Sequence, residues 1–212
     1  SWVRKNLLPT FSEFLNDGGK PAQPNLERAM TATAQILIDH DLIDKRTAEK
    51  VIHREEIPVS ARIQFLRYLI ENKSLSIDVA KSLLSDPEPQ IQALSAAALV
   101  GSGNEQGWDY FERSITGTNA DAIQHSLSEL GHIDSERRTR LLNAALERAA
   151  MSVFPKQAWL DLYEISVGLP ESKLALSNFL KSQIEGNELG IAALSIEGGN
   201  PGKGASLFQH HP

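Results

Sequence analysis

The side chains best suited to bind a metal or move a proton near neutral pH are six histidines, His40, His53, His125, His132, His210 and His211. No two of them fall at the His-Glu-x-x-His spacing that puts two imidazoles on one face of a helix. Asp39-His40-Asp41 gathers oxygen and nitrogen donors, but it ends a helical pattern, where His and Asp are ordinary capping residues. His125 and His132 would share a face only if one helix ran past Gly131, and a glycine there stops it. The run Gly101 to Gly107 imitates a phosphate-cradling loop. A dinucleotide loop must leave a strand and enter a helix, whereas this one follows an Ala-rich helical stretch, so it reads as a helix end and turn. Glu55, Glu56 and Glu136 lack a matched carboxylate in an apolar setting, so no general acid/base pair can be built from them. With no cysteine, the chain has no thiolate nucleophile, disulfide or Cys-bound metal. These readings predict no catalytic residue, no metal site and no enzymatic activity in the chain.

Charge narrows the partners. Lys and Arg number 21 against 27 Asp and Glu, a net charge of −6 over 212 residues, and no basic stripe offers itself to phosphate. Nucleic acid is therefore not expected as a partner. The one basic run, Arg137-Arg138-Thr139-Arg140, follows Glu136, which stands four residues before Arg140 and reads as a solvated ion pair on one helix. No apolar run approaches the roughly 20 residues that span a bilayer. Asn72-Lys73-Ser74 is a formal glycosylation sequon and nothing more. Trp108, Phe111 and Trp159 read as core anchors.

Helices would have to position whatever function remains. Residues 1–24 form a lead-in broken by turn residues from Asn16 to Pro21. From Asn25 apolar residues recur at three- and four-residue steps: Leu26, Met30, Thr33 and Leu37, then Val59, Ile63, Leu66 and Ile70. Asp44, Ser76, Asn119 and Ser135 stand where helix N-caps belong. Pro87 after Asp86, Pro155 and Pro170 stand at helix starts, and Gly101, Gly131, Gly168 and Gly186 at helix ends, with Gly101 expected in the left-handed conformation. Leu189 to Ile196 predicts a last short helix. No run alternates with the two-residue period of a strand. Ile-Gln recurs at Ile63, Ile91 and Ile123, 28 and 32 residues apart, with Lys156-Gln157 a similar step on. A period near 30–40 residues with two helices per unit predicts an all-α solenoid of about five helical pairs.

The segments Ser60 to Leu69 and Gln90 to Leu99, with the Ser85-Asp86-Pro87 turn between them, resemble HEAT repeats, small helical pairs joined by Asp-Pro turns with Ala and Leu on the inner ridge. The resemblance covers roughly residues 25–197. It implies a HEAT-like α-α superhelix that binds through its surface: adjacent domains of the same polypeptide, or another protein.

Residues 198–212 carry the sharpest functional clue. Gly199, Asn200, Gly204, Leu207 and Phe208 follow the order Gly-Asp-x-x-x-Gly-x-x-Leu-Phe, with Asn200 replacing the usual Asp. The string resembles the first helix of class I c-type cytochrome domains, in which a Cys-x-x-Cys-His haem-attachment motif comes next. It implies that the chain is part of a larger protein in which that motif follows Pro212; this chain would bind no cofactor itself, and haem c would belong to the parent. A helical-repeat region before a haem c domain is similar to large bacterial secreted dehydrogenases. The chain is accordingly expected to be a non-catalytic spacer and docking module of a periplasmic or secreted haem c-linked dehydrogenase of the sugar or alcohol type, serving electron transfer there. A second reading is a free-standing HEAT-like protein-protein interaction scaffold. The sequence flanking the chain separates the two.

Overall fold

The structure, a computed structural model, describes residues 24–184. Among them are ten α-helices and no strand: α1 (Pro24–Asp39), α2 (Lys45–Ile52), α3 (Val59–Glu71), α4 (Ile77–Leu83), α5 (Pro89–Gly101), α6 (Glu105–Thr116), α7 (Ala120–Leu130), α8 (Glu136–Ala150), α9 (Trp159–Val167) and α10 (Lys173–Ile184). The all-α expectation therefore holds for the described residues. The chain divides into two compact units, Ser1–Gly107 and Trp108–Pro212, a boundary that falls inside the region 25–197 expected as one repeat domain.

The helix starts follow local chemistry. A capping oxygen accepts from the first-turn amides that have no carbonyl partner inside the helix. Asp44 Oδ1 accepts from Thr47 N at 2.7 Å, Ser76 Oγ from Val79 N at 3.4 Å, Asn119 Oδ1 from Ala122 N at 3.2 Å and Ser135 Oγ from Arg137 N at 3.0 Å. At Asp44 the Thr47 backbone amide, then the Thr47 hydroxyl, hold the carboxyl below its ordinary value. The depressed value means that this contribution is complete above the unfolded carboxyl range and is lost as pH falls through the folded value. Asp44→Ala is expected to cost about 1 kcal/mol at neutral pH and almost nothing in strong acid, read from urea unfolding at both pH values.

The starts expected at Pro155 and Pro170 lead first into 3-10 turns, Lys156–Ala158 and Pro170–Ser172, ahead of α9 and α10, and two further boundaries shift. Helix α5 starts at Pro89, not Pro87, with Glu88 as its cap residue. Asp86 is occupied elsewhere: its Oδ1 accepts from Glu88 N at 3.0 Å, forming a turn before the helix. At the other end, the left-handed residue is Gly103, φ +75°, while Gly101 is still helical.

Three helices of the first unit end in one and the same turn. After α1, Asp41 (φ +50°) donates to Ile38 O, and Leu42 N to Leu37 O. After α3, Lys73 (φ +52°) donates to Ile70 O, and Ser74 N to Leu69 O. After α5, Gly103 donates to Val100 O, and Asn104 N to Leu99 O. Each is the paired 6→1 and 5→2 closure of a helix by a left-handed residue. The three left-handed residues stand 32 and 30 residues apart. After Asp41 and Lys73 the register continues: one residue, then the apolar Ile43 or Leu75, then the cap of the next helix, Asp44 or Ser76. A Cβ in the left-handed region costs energy that glycine avoids, less glycine's own entropy loss. Lys73→Gly is therefore expected to raise stability by about 0.5–1 kcal/mol, measured as a higher urea midpoint at unchanged slope.

Within the first unit α3 packs against α1, α2 and α5, and α4 packs against α5. The core runs through Met30, Ala34, Leu37, Ile52, Phe65, Leu66, Leu69, Ile91 and Leu94. Because α3 has neighbours on several sides, its buried face is Ala61, Phe65, Leu66 and Leu69, and the expected stripe residues Val59, Ile63 and Ile70 lie at its margin. Within the second unit α7 packs against α9 and the 3-10 turn Lys156–Ala158, and α8 against α9 and α10. Ile123, Leu127, Leu130, Leu142, Leu146, Leu162 and Phe179 are buried there, and the Trp159 ring meets Phe179 edge-on at 5.5 Å.

Candidate functional site

A buried ion pair organises the first unit. Arg62, on the first turn of α3, is 1% exposed. Its Nε and Nη2 donate to Ile52 O at 2.9 and 2.8 Å, and Nη2 also donates to Asp86 Oδ2. Ile52 ends α2, whose last carbonyls have no partner inside the helix, so the guanidinium supplies the missing donors at the negative end of the helix dipole. Asp86 in turn fixes the turn before α5: besides Glu88 N on its carboxylate, its carbonyl accepts from Gln92 Nε2. One side chain thus ties α2, α3 and the α4–α5 turn together.

The second unit uses arginine in the same way. Arg148 of α8 donates to Ile115 O and, at 3.3 Å, to Gly117 O at the end of α6, and its guanidinium lies 5.7 Å from the Phe154 ring. Two arginines of the basic run at the start of α8 are engaged. Arg137 donates to Glu112 Oε1 from Nε at 3.0 Å and from Nη2 at 2.8 Å, and lies 5.3 Å from the Trp108 ring. Arg138 pairs with Asp134 at 3.5 Å. The expected Glu136–Arg140 pair is not among these; both side chains are exposed. Gln124 of α7 reaches α9, donating to Asp161 Oδ2 at 2.9 Å and to Gln157 O at 2.7 Å.

Among the described residues no group of three His, Asp or Glu side chains is placed to hold a metal ion. Asp39-His40-Asp41 lies exposed at the end of α1 and in the turn after it, where Tyr68 OH approaches Asp41 Oδ1 at 3.4 Å. Burial, then the Asp41 charge, pushes the Tyr68 phenol up. Glu56 binds Arg54, and its own backbone amide together with that guanidinium holds its carboxyl low, the reverse of a general acid. Tyr110 is pushed up by burial, against a partial pull from the Ser126 and Ser114 hydroxyls. Asn104 Oδ1 accepts from Gln106 N at 3.1 Å in the Gly101–Gly107 segment, which runs from the end of α5 through a turn into α6.

Exposed apolar side chains border two turns. Val167 and Leu174 flank the α9–α10 turn with exposed side chains, and Met151 and Val153 do the same after α8. Arg62 was not singled out by sequence, and Asp86 and Gln124 stood out only as a helix-start residue and as part of a recurring dipeptide; a lone Arg or Gln on an amphipathic helix carries no signal of burial. The cytochrome-like residues Gly199, Asn200, Gly204, Leu207 and Phe208, and the expected helix Leu189 to Ile196, lie outside the described residues. No helix among the described residues is long and apolar enough to cross a membrane. In comparisons with known proteins the chain matches no family model, no curated protein and no solved structure.

Proposed function

We propose that this chain is a HEAT-like α-solenoid of about five helical pairs, serving as a non-catalytic spacer and docking module. The observation that carries this reading is the recurrence of one left-handed turn after α1, α3 and α5 at intervals of 32 and 30 residues. Alternate helices also pack side by side, α1 with α3 and α3 with α5 in the first unit, α7 with α9 and α8 with α10 in the second. Such i to i+2 stacking is how repeats that cannot bury their own apolar faces stabilise one another. Small-angle scattering tests the architecture. A solenoid gives a radius of gyration well above the about 17 Å of a compact globule of 212 residues; a value near 17 Å removes the reading.

The parent on this reading is a periplasmic or secreted haem c-linked dehydrogenase of bacterial type. Its support is the cytochrome-like order of Gly199, Asn200, Gly204, Leu207 and Phe208. The coding sequence downstream of Pro212 decides it: Cys-x-x-Cys-His within about twenty residues is the expected result, and a stop codon or an unrelated domain there overturns it in favour of a free-standing protein-binding scaffold.

A further inference from the structure

We propose that Met151 is the oxidant-reactive site of this protein, a thioether that takes an oxygen atom from a peroxide while Met30 is spared. The chain has two methionines and no cysteine, so no thiol competes for a two-electron oxidant. Met30 is 5% exposed, in the first unit's core. Met151 is 67% exposed at the end of α8, and the local backbone holds it there. Ser152 takes the left-handed conformation, φ +57°, and donates to Ala149 O at 3.0 Å, while Val153 N donates to Arg148 O at 2.9 Å. This closure usually brings an apolar residue at the Val153 position onto the side chain at the Arg148 position. Here Arg148 is turned to the α6 carbonyls and the Phe154 ring, and Val153 is 61% exposed. Phe154 points inward, and its carbonyl accepts from Trp159 Nε1 at 3.2 Å. Met151 and Val153 are thus left outside as an apolar knuckle on a well-bonded turn. The described tryptophans, Trp108 and Trp159, are buried.

In the reaction a sulfur lone pair attacks one peroxide oxygen, an S–O bond forms and the O–O bond breaks. The sulfur is oxidised by two electrons, and hydrogen peroxide is reduced to water, its proton passing to the departing oxygen. The turn is closed by main-chain bonds, so the sulfoxide converts an apolar knuckle into a polar one without loosening α8, a change that sulfoxide reduction reverses.

The test treats the folded chain with dilute hydrogen peroxide and follows each methionine by peptide mass mapping. The Met151 peptide is expected to gain one oxygen at least about ten-fold faster than the Met30 peptide, because accessibility governs the rate. The difference should vanish in urea, and the singly oxidised chain should keep its melting temperature. Met151→Leu should lack the fast phase. Comparable rates in the folded protein, a difference that survives in urea, or a fall in melting temperature on selective oxidation would each overturn the proposal.

Discussion

Replacing Arg62 by methionine is expected to lower the unfolding free energy by about 3–5 kcal/mol, because removing one partner of a buried pair leaves the other charge unpaired away from water. Methionine keeps much of the side-chain volume, so the loss reports the charge and the hydrogen bonds rather than a cavity. Two groups are orphaned together: the Asp86 carboxylate, whose side chain is 6% exposed, and the Ile52 carbonyl at the end of α2. A surface ion pair would cost less than about 1 kcal/mol, so urea unfolding distinguishes the two cases. Asp86→Asn in the same background is expected to recover part of the deficit. It removes the unpaired charge while the amide oxygen still accepts from Glu88 N. A deficit under about 1 kcal/mol for Arg62→Met, or no recovery in the double variant, would show that the pair does not hold α2, α3 and the α4–α5 turn together.

The second large effect is expected at Gly107, in the second half-turn of α6. A Cβ there would lie 2.4 Å from Ala96 O and 2.9 Å from Val100 N, both backbone atoms of α5. Backbone in a helix cannot rotate away as a side chain can, so the backbone around Gly107 must shift away from Ala96 and Val100. Gly107→Ala is expected to destabilise by about 3 kcal/mol, the upper end of ordinary overpacking. Gly101→Ala supplies the contrast. Nothing lies within 4 Å of its Cβ position and its residue is helical, so alanine should be neutral or stabilising by up to about 1 kcal/mol. Thermal melts of the two variants read opposite signs from one substitution type six residues apart; equal shifts would refute the close approach.

Most helix starts were legible because they are set by near neighbours. Asp44, Ser76, Asn119 and Ser135 cap amides two or three residues away, and that chemistry is written locally. The Asp86-Pro87 start failed because the carboxylate answers to Arg62, twenty-four residues upstream, as well as to its own helix. The Ile-Gln dipeptides do not occupy equivalent positions. They fall at the fifth, third and fourth residues of α3, α5 and α7, and Gln92 turns back to the Asp86 carbonyl while Gln124 reaches forward to α9. The left-handed turns at Asp41 and Lys73 escaped notice for a different reason: neither residue is the glycine that usually advertises them. The Glu136–Arg140 pair was spacing without geometry: both residues are exposed, while Arg137 and Arg138 turn to Glu112, Trp108 and Asp134.

The turn that closes α1, α3 and α5 is occupied by aspartate, lysine and glycine in succession. What the three positions share is a dihedral angle and two main-chain hydrogen bonds, and neither is spelled by any one letter. A repeat specified in that way tolerates drift at the very residue that defines it, at a cost of roughly a kilocalorie per mole for each departure from glycine. If the helical pairs are repeats, as proposed, copies specified in that way can lose their likeness in sequence before they lose their period, and kinship among them is better traced by torsion than by identity.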